Sequence, residues 1–155
     1  MSIPSKVAHK QADLAPPLIG MLEVAVGQGH PADVALRHFY REHPEFGSRD
    51  RRFFSELVFS WFRWRGWLAP ADPDRCVMAY LLDAEAPHPA ADALVSGRPD
   101  AAAFQPAGGL SLDEKAAQAG RWLGSAPPPL EALVPAWVPG RLHVPPGRLA
   151  EDHLA

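Results

Sequence analysis

Ser48-Arg49-Asp50-Arg51-Arg52-Phe53-Phe54-Ser55-Glu56-Leu57-Val58-Phe59-Ser60-Trp61-Phe62-Arg63-Trp64-Arg65-Gly66-Trp67-Leu68 is the stretch whose periodicity decides the fold. Advancing about 100° per residue from Arg52 gathers Phe53, Phe54, Leu57, Val58, Trp61, Trp64 and Leu68 into one broad arc, the pattern of a helix with one buried side. Opposite that arc fall Arg49, Arg52, Glu56 and Arg63. Arg51 and Arg65 edge the arc, and Phe59 interrupts the polar side. Ser48 is suited to cap this helix, and Asp50 in its first turn meets the positive end of the helix dipole.

Helical spacing continues on both sides. Before it, Leu14, Leu18, Met21, Leu22, Ala25 and Val26 recur at three- and four-residue steps, predicting a helix from Gln11 to Gln28 with Pro16-Pro17 in its first turn. Gly27 and Gly29 end it. A second helix follows, with Pro31 in its first turn and Ala32, Ala35, Leu36, Phe39 and Tyr40 as its apolar positions; His43-Pro44 stops it. After Leu68, residues 74–84 predict a helix with Val77, Tyr80 and Leu81 inward, and Pro89 to Val95 a shorter one. The Gly/Pro/Ala-rich connection through Gly109 gives little reason for packed structure. Ser111-Leu112-Asp113-Glu114 matches a capping box opening a helix to Leu123. Pro127-Pro128-Pro129 forces an extended segment before a helical turn at 130–134. No alternating strand pattern intervenes, so the predicted class is all-α, a helical bundle with proline-rich connections in its second half.

The chain has 155 residues and a hydrophobic content of 47%, room for one sizeable core. Formal net charge is -3, which excludes a protein that coats nucleic acid by bulk positive charge. The balance is uneven: residues 33–68 carry +2 and residues 69–155 carry -5. Any nucleic-acid surface is therefore local. The single cysteine, Cys76, excludes an internal disulfide and a thiolate zinc site, and a reducing cytoplasm is the expectation. No signal-like leader and no long apolar run are visible, so neither export nor membrane insertion is expected.

Chemistry-bearing patterns are few. Gly108-Gly109 follows no strand and Gly27-Gln28-Gly29 separates two helices, so neither reads as a phosphate loop. The histidines show no metal-ligand spacing, and no metal is expected; His38 and His43 read as helix-surface groups. Cys76 lies in an apolar helical pattern, where an inert packed thiol is the simpler reading than a nucleophile. The positive candidates are Arg49, Arg51, Arg52, Arg63 and Arg65, because planar guanidinium forks bind phosphate oxygens and stack on unpaired bases. The competing reading makes them a solvated rim, paired with Asp50, Glu56 or the acidic second half, around an aromatic core.

At Ala32-Asp33 to Phe39-Tyr40, His43-Pro44-Glu45-Phe46-Gly47-Ser48-Arg49-Asp50-Arg51-Arg52 and Glu56 through Arg65, the sequence resembles the N-terminal NusB-like domain of the Sun/Nop family of S-adenosylmethionine-dependent RNA cytosine-C5 methyltransferases. Pro135-Ala136-Trp137-Val138 is similar to the segment that leads towards the catalytic half of those proteins. The resemblance covers about a third of the chain well. It implies a NusB-like RNA-binding domain over residues 1–125 and, over 126–155, a linker and the start of the segment leading to a methyltransferase domain not contained here. Arg148 to Ala155 reads as a helix beginning, and a truncated chain is the expectation. The family's cofactor loop and its Pro-Cys and Thr-Cys motifs have no counterpart, and Cys76 matches neither. The resemblance thus implies no catalytic residue and no cofactor site in this chain, S-adenosylmethionine belonging to the missing domain. The implied partners are RNA, ribosomal in the best-known members, and that methyltransferase domain; Asp50 fits as the structural partner of an arginine or a backbone donor. Two alternatives stay open: a free-standing NusB-like antitermination or RNA-binding factor, and a helical protein-interaction module.

Overall fold

The computed structural model describes residues 5–134. Pro135 to Val138 and Arg148 to Ala155, for which sequence expectations were given, lie outside the described residues. Six helices follow in chain order: α1 (Ser5–Gly27), α2 (Ala32–Glu42), α3 (Ser48–Leu68), α4 (Pro73–Asp83), α5 (Pro89–Val95) and α6 (Leu112–Leu123). Short 3-10 turns lie at Ala101–Ala103 and Leu130–Leu133, and no strand occurs among the described residues. The fold is all-α, as its periodicity predicts.

The anticipated arc of α3 is the main wall of the core: Phe53, Phe54, Leu57, Val58, Trp61, Trp64 and Leu68 are all buried. It packs chiefly on α4, which in turn touches α5, α1 and α6. Every residue of α4 from Cys76 to Leu82 is buried, so it is apolar all round and occupies the centre. The three inward positions expected from periodicity understate this, because a helix covered on every side has no periodic face to show. Asp72 caps it, its side chain accepting from the Arg75 amide at 2.7 Å, with Pro73 at the start.

Three local expectations are corrected. Helix α1 begins at Ser5, not Gln11, and Pro16-Pro17 lie inside it. Internal prolines remove the donors that the Ala12 and Asp13 carbonyls would use, at about 3 kcal/mol or more. Burial of Ala8, Gln11, Ala12, Ala15, Leu18, Ile19 and Leu22 along one face offsets that cost, while Met21 of the expected set stays exposed. Second, Ser48 is the first helical residue of α3 and not its cap; Gly47 occupies the cap position and no side chain bonds there. Third, the connection after Val95 is packed. Phe104 and Ala107 are buried, Phe104 stacks on Trp122 at 5.7 Å with ring planes 4° apart, and the Ala107 amide bonds the Leu81 carbonyl at 2.8 Å.

The serine half of the expected capping box forms in α6: the Glu114 amide donates to Ser111 Oγ at 3.2 Å, and Glu114 Oε1 turns back to accept from that hydroxyl at 3.1 Å. Gly124 closes the helix with φ 66, a left-handed conformation that only glycine adopts without cost. Beyond it, residues 127–134 return to α3. Trp67 Nε1 donates to the Pro129 carbonyl at 2.9 Å, and Leu133 and Val134 join the core. Gly66 permits this approach, since a Cβ there would sit 2.0 Å from the Ala132 carbonyl oxygen.

Candidate nucleic-acid interface

Three of the five candidate arginines, Arg49, Arg52 and Arg63, share the outward face of α3, and Phe59 stands among them with 52% exposure. Arg49 has no ion-pair partner among the described residues. Arg52 Nε donates to Glu56 Oε1 at 3.1 Å, one turn along the helix; its side chain is 83% exposed, so the pair is weak and easily exchanged for a ligand. Arg63 reaches Asp83 of α4 at 3.3 Å, and Lys115 of α6 approaches the same carboxylate oxygen at 3.9 Å. Two cations therefore share one carboxylate at the end of the row. Burial holds the Lys115 pKa below its ordinary range, with Asp83 opposing.

Arg51 and Arg65 are tied to neighbouring elements, although Arg51 stays exposed and Arg65 half-buried. Arg51 Nε donates to the Phe46 carbonyl at 2.9 Å, and its guanidinium lies 5.4 Å from the centre of the Tyr40 ring. Tyr40 in turn donates its hydroxyl to the Arg51 carbonyl at 2.9 Å, tying α2 to α3. Arg65 donates to Glu23 Oε2 at 2.9 Å while Trp61 Nε1 donates to Glu23 Oε1 at 2.6 Å. That bidentate carboxylate locks α1 to α3. Asp50 accepts neither an arginine nor a backbone amide as expected, but the side-chain amide of Gln11 at 2.8 Å.

Beside Arg49 and Arg52 a cleft of about 770 Å³ opens between α3 and the end of α4, lined also by Phe53, Tyr80 and His88. His88 escaped the sequence reading, although its place directly before Pro89 marks a helix start. Its Nδ1 accepts from the Ala90 amide at 3.1 Å, which leaves the ring hydrogen on Nε2. The ring stacks on Phe53 at 4.5 Å and 17°, and burial lowers its pKa, so the neutral form is favoured. Burial likewise pushes Tyr80 up to about 12. Glu56, Asp83 and Glu85 share the lining with Arg49 and Arg52, so the cleft as a whole is not positively charged.

Among the described residues neither glycine pair lies in a strand-to-helix loop. Gly27 to Gly29 join two helices, and Gly108 is pressed against the Asp83 and Ala84 carbonyls in a turn. Cys76 is fully buried and its thiol is pushed up to about 12 by burial, with Asp72 adding to the rise, so a nucleophilic thiolate is not accessible at neutral pH. Among the described residues no group of three or more metal-ligating side chains is assembled, and no helix is long and apolar enough to cross a membrane. Compared with family models, curated proteins and solved structures, the chain finds no match.

Proposed function

We propose that this chain is an RNA-binding helical domain, of the NusB-like kind, that helps hold ribosomal RNA for an S-adenosylmethionine-dependent cytosine-C5 methyltransferase domain. The observation that carries the RNA reading is the exposed row Arg49, Arg52, Phe59 and Arg63 on α3. Guanidinium groups flanking an exposed aromatic ring combine phosphate binding with a stacking surface for an unpaired base. Arg51 and Arg65 act in this reading through the fold, by fixing α3 against α2 and α1. The methyltransferase context rests on the resemblance between residues 31 and 68 and that family's N-terminal domain. With net charge -3 the binding is weak and salt-sensitive.

The test is retention of a small-subunit ribosomal RNA fragment at low salt by the wild-type chain and by Arg52→Ala/Arg63→Ala, with Arg121→Ala as a control on another helix. Loss of two single-strand phosphate contacts should lower the slope of log K against log salt by about 1.4. Equal retention and equal slopes would refute the assignment of this face.

A further inference from the structure

We infer that the cleft between α3 and the end of α4 binds a single guanine nucleotide, with its phosphate at the start of α3 and its base against Tyr80, Glu85 and His88. As part of an RNA strand this nucleotide deepens the RNA reading above and rests on it; a free nucleotide would fill the cleft by the same chemistry. The cleft encloses about 770 Å³, within the usual range for small-ligand pockets. Tyr80 is the observation that points to an occupant. It is only 7% exposed and lines the cleft, yet its hydroxyl has no hydrogen-bond partner among the described residues and is not sealed from solvent. A phenol packed this deeply ordinarily finds a partner.

Unused groups of complementary kinds surround that hydroxyl. His88 keeps its hydrogen on Nε2, because Nδ1 accepts from the Ala90 amide, and the Nε2 donor is unpaired among the described residues. Glu85 has no cation partner there either, whereas the other two carboxylates of the lining are engaged, Glu56 by Arg52 and Asp83 by Arg63 and Lys115. A carboxylate with two free oxygens matches the adjacent N1–H and N2–H donors of guanine, a pair that no other RNA base presents. Guanine O6, an acceptor, suits the His88 Nε2–H or the Tyr80 hydroxyl. At the mouth, Ser48 and Arg49 border the cleft in the first turn of α3, whose cap residue Gly47 supplies no side-chain bond. Their amides are open to an anion at the positive end of a 21-residue helix, the Arg49 guanidinium has no ion-pair partner, and Asp50 of the same turn is held by Gln11. The well-exposed Arg52 offers its guanidinium plane to the base. Because the lining mixes both charges, it disfavours a polyanion lying along it and suits a ligand with an anion at one end and a donor edge at the other.

Guanosine, adenosine, cytidine and uridine 5′-monophosphates, titrated into the full chain and followed by NMR amide shifts, test this. The guanine nucleotide should bind at least about fivefold more tightly than the other three and move amides at the start of α3 and the end of α4. Glu85→Gln should remove that preference, Tyr80→Phe should weaken the guanine nucleotide about fivefold, and Arg49→Ala should weaken all four alike. Glu85 is exposed, so its variant carries the test if Tyr80→Phe does not fold by circular dichroism. A uridine pentaribonucleotide with one central guanine should displace the mononucleotide more effectively than the all-uridine pentamer; failure to do so would assign the cleft to a free nucleotide. Equal affinities, no binding by any nucleotide, or a guanine preference intact in both the Glu85 and Tyr80 variants would overturn the proposal. Ribosomal RNA retention that still depends on Arg52 and Arg63 would, in that event, leave the RNA reading standing. Guanine binding without arginine-dependent retention would refute the RNA reading alone.

Discussion

His88 joins three roles in one ring: it caps α5 through Nδ1, stacks on Phe53, and borders the cleft beside Arg49 and Arg52. Protonation would cancel the first, because an Nδ1 bearing a hydrogen can no longer accept from the Ala90 amide. Its folded pKa is lowered below the ordinary histidine value, so between the two values the unfolded chain binds more protons than the native one. Stability contributed here is therefore complete above pH of about 6.5 and is lost as pH falls through the folded value. Thermal melts at pH 7.5 and 5.5 should show a drop in Tm for the wild-type chain that shrinks in His88→Asn, which retains an acceptor at the cap. An identical drop in both would contradict the linkage. Arginines differ as sharply by position: Arg65 is anchored by a carboxylate that also holds Trp61, whereas Arg49, sixteen positions earlier in the same helix, is exposed at the mouth of the cleft with no ion-pair partner among the described residues.

Helix α6 owes its start to one hydroxyl. Ser111→Ala would leave the Glu114 amide without its acceptor, at about 1 kcal/mol within the range for cap removal. Urea unfolding should show that loss, with Ser111→Asp restoring most of it; no change in midpoint for the alanine variant would mean that the cap is dispensable. This helix was legible because a capping box is local chemistry, written within four residues. The start of α3 was less so: Ser48 has the right side chain for a cap, yet Gly47 stands at the position where the chain turns from extended to helical backbone. Helix α1 shows the opposite failure. Two prolines argue for a helix start by local rules, and the burial of Ala8, Gln11, Ala12 and Ala15 against the rest of the bundle overrides them.

At the scale of the whole molecule, the return of residues 127–134 across α3 joins the proline-rich end to the core. Gly66→Ala tests it. Alanine alone would favour the helix by about 1 kcal/mol. Its Cβ would also lie 2.0 Å from a backbone oxygen that can give way only by moving the segment, and overpacking of that kind costs about 1–3 kcal/mol. We expect a lower Tm and faster proteolysis between Gly124 and Val134; a stabilised, equally resistant variant would show that the contact is loose. Trp67 makes the same point about reading a sequence. It falls about 60° from Arg52 on the helical wheel, within the basic sector, yet it is buried, its ring against Trp64 and its indole nitrogen bonded to the Pro129 carbonyl of the returning segment. The sequence by itself determined the helical class, most of the six helices, the aromatic arc of α3 and the arginines as a group, because each is written in spacing along one element. Only the tertiary structure decided which arginines face solvent, that Asp50 serves Gln11, that α4 is central, and that α3 and the end of α4 enclose a cleft. Those outcomes depend on which elements meet, and a contact between residues forty positions apart has no periodicity from which it could be read.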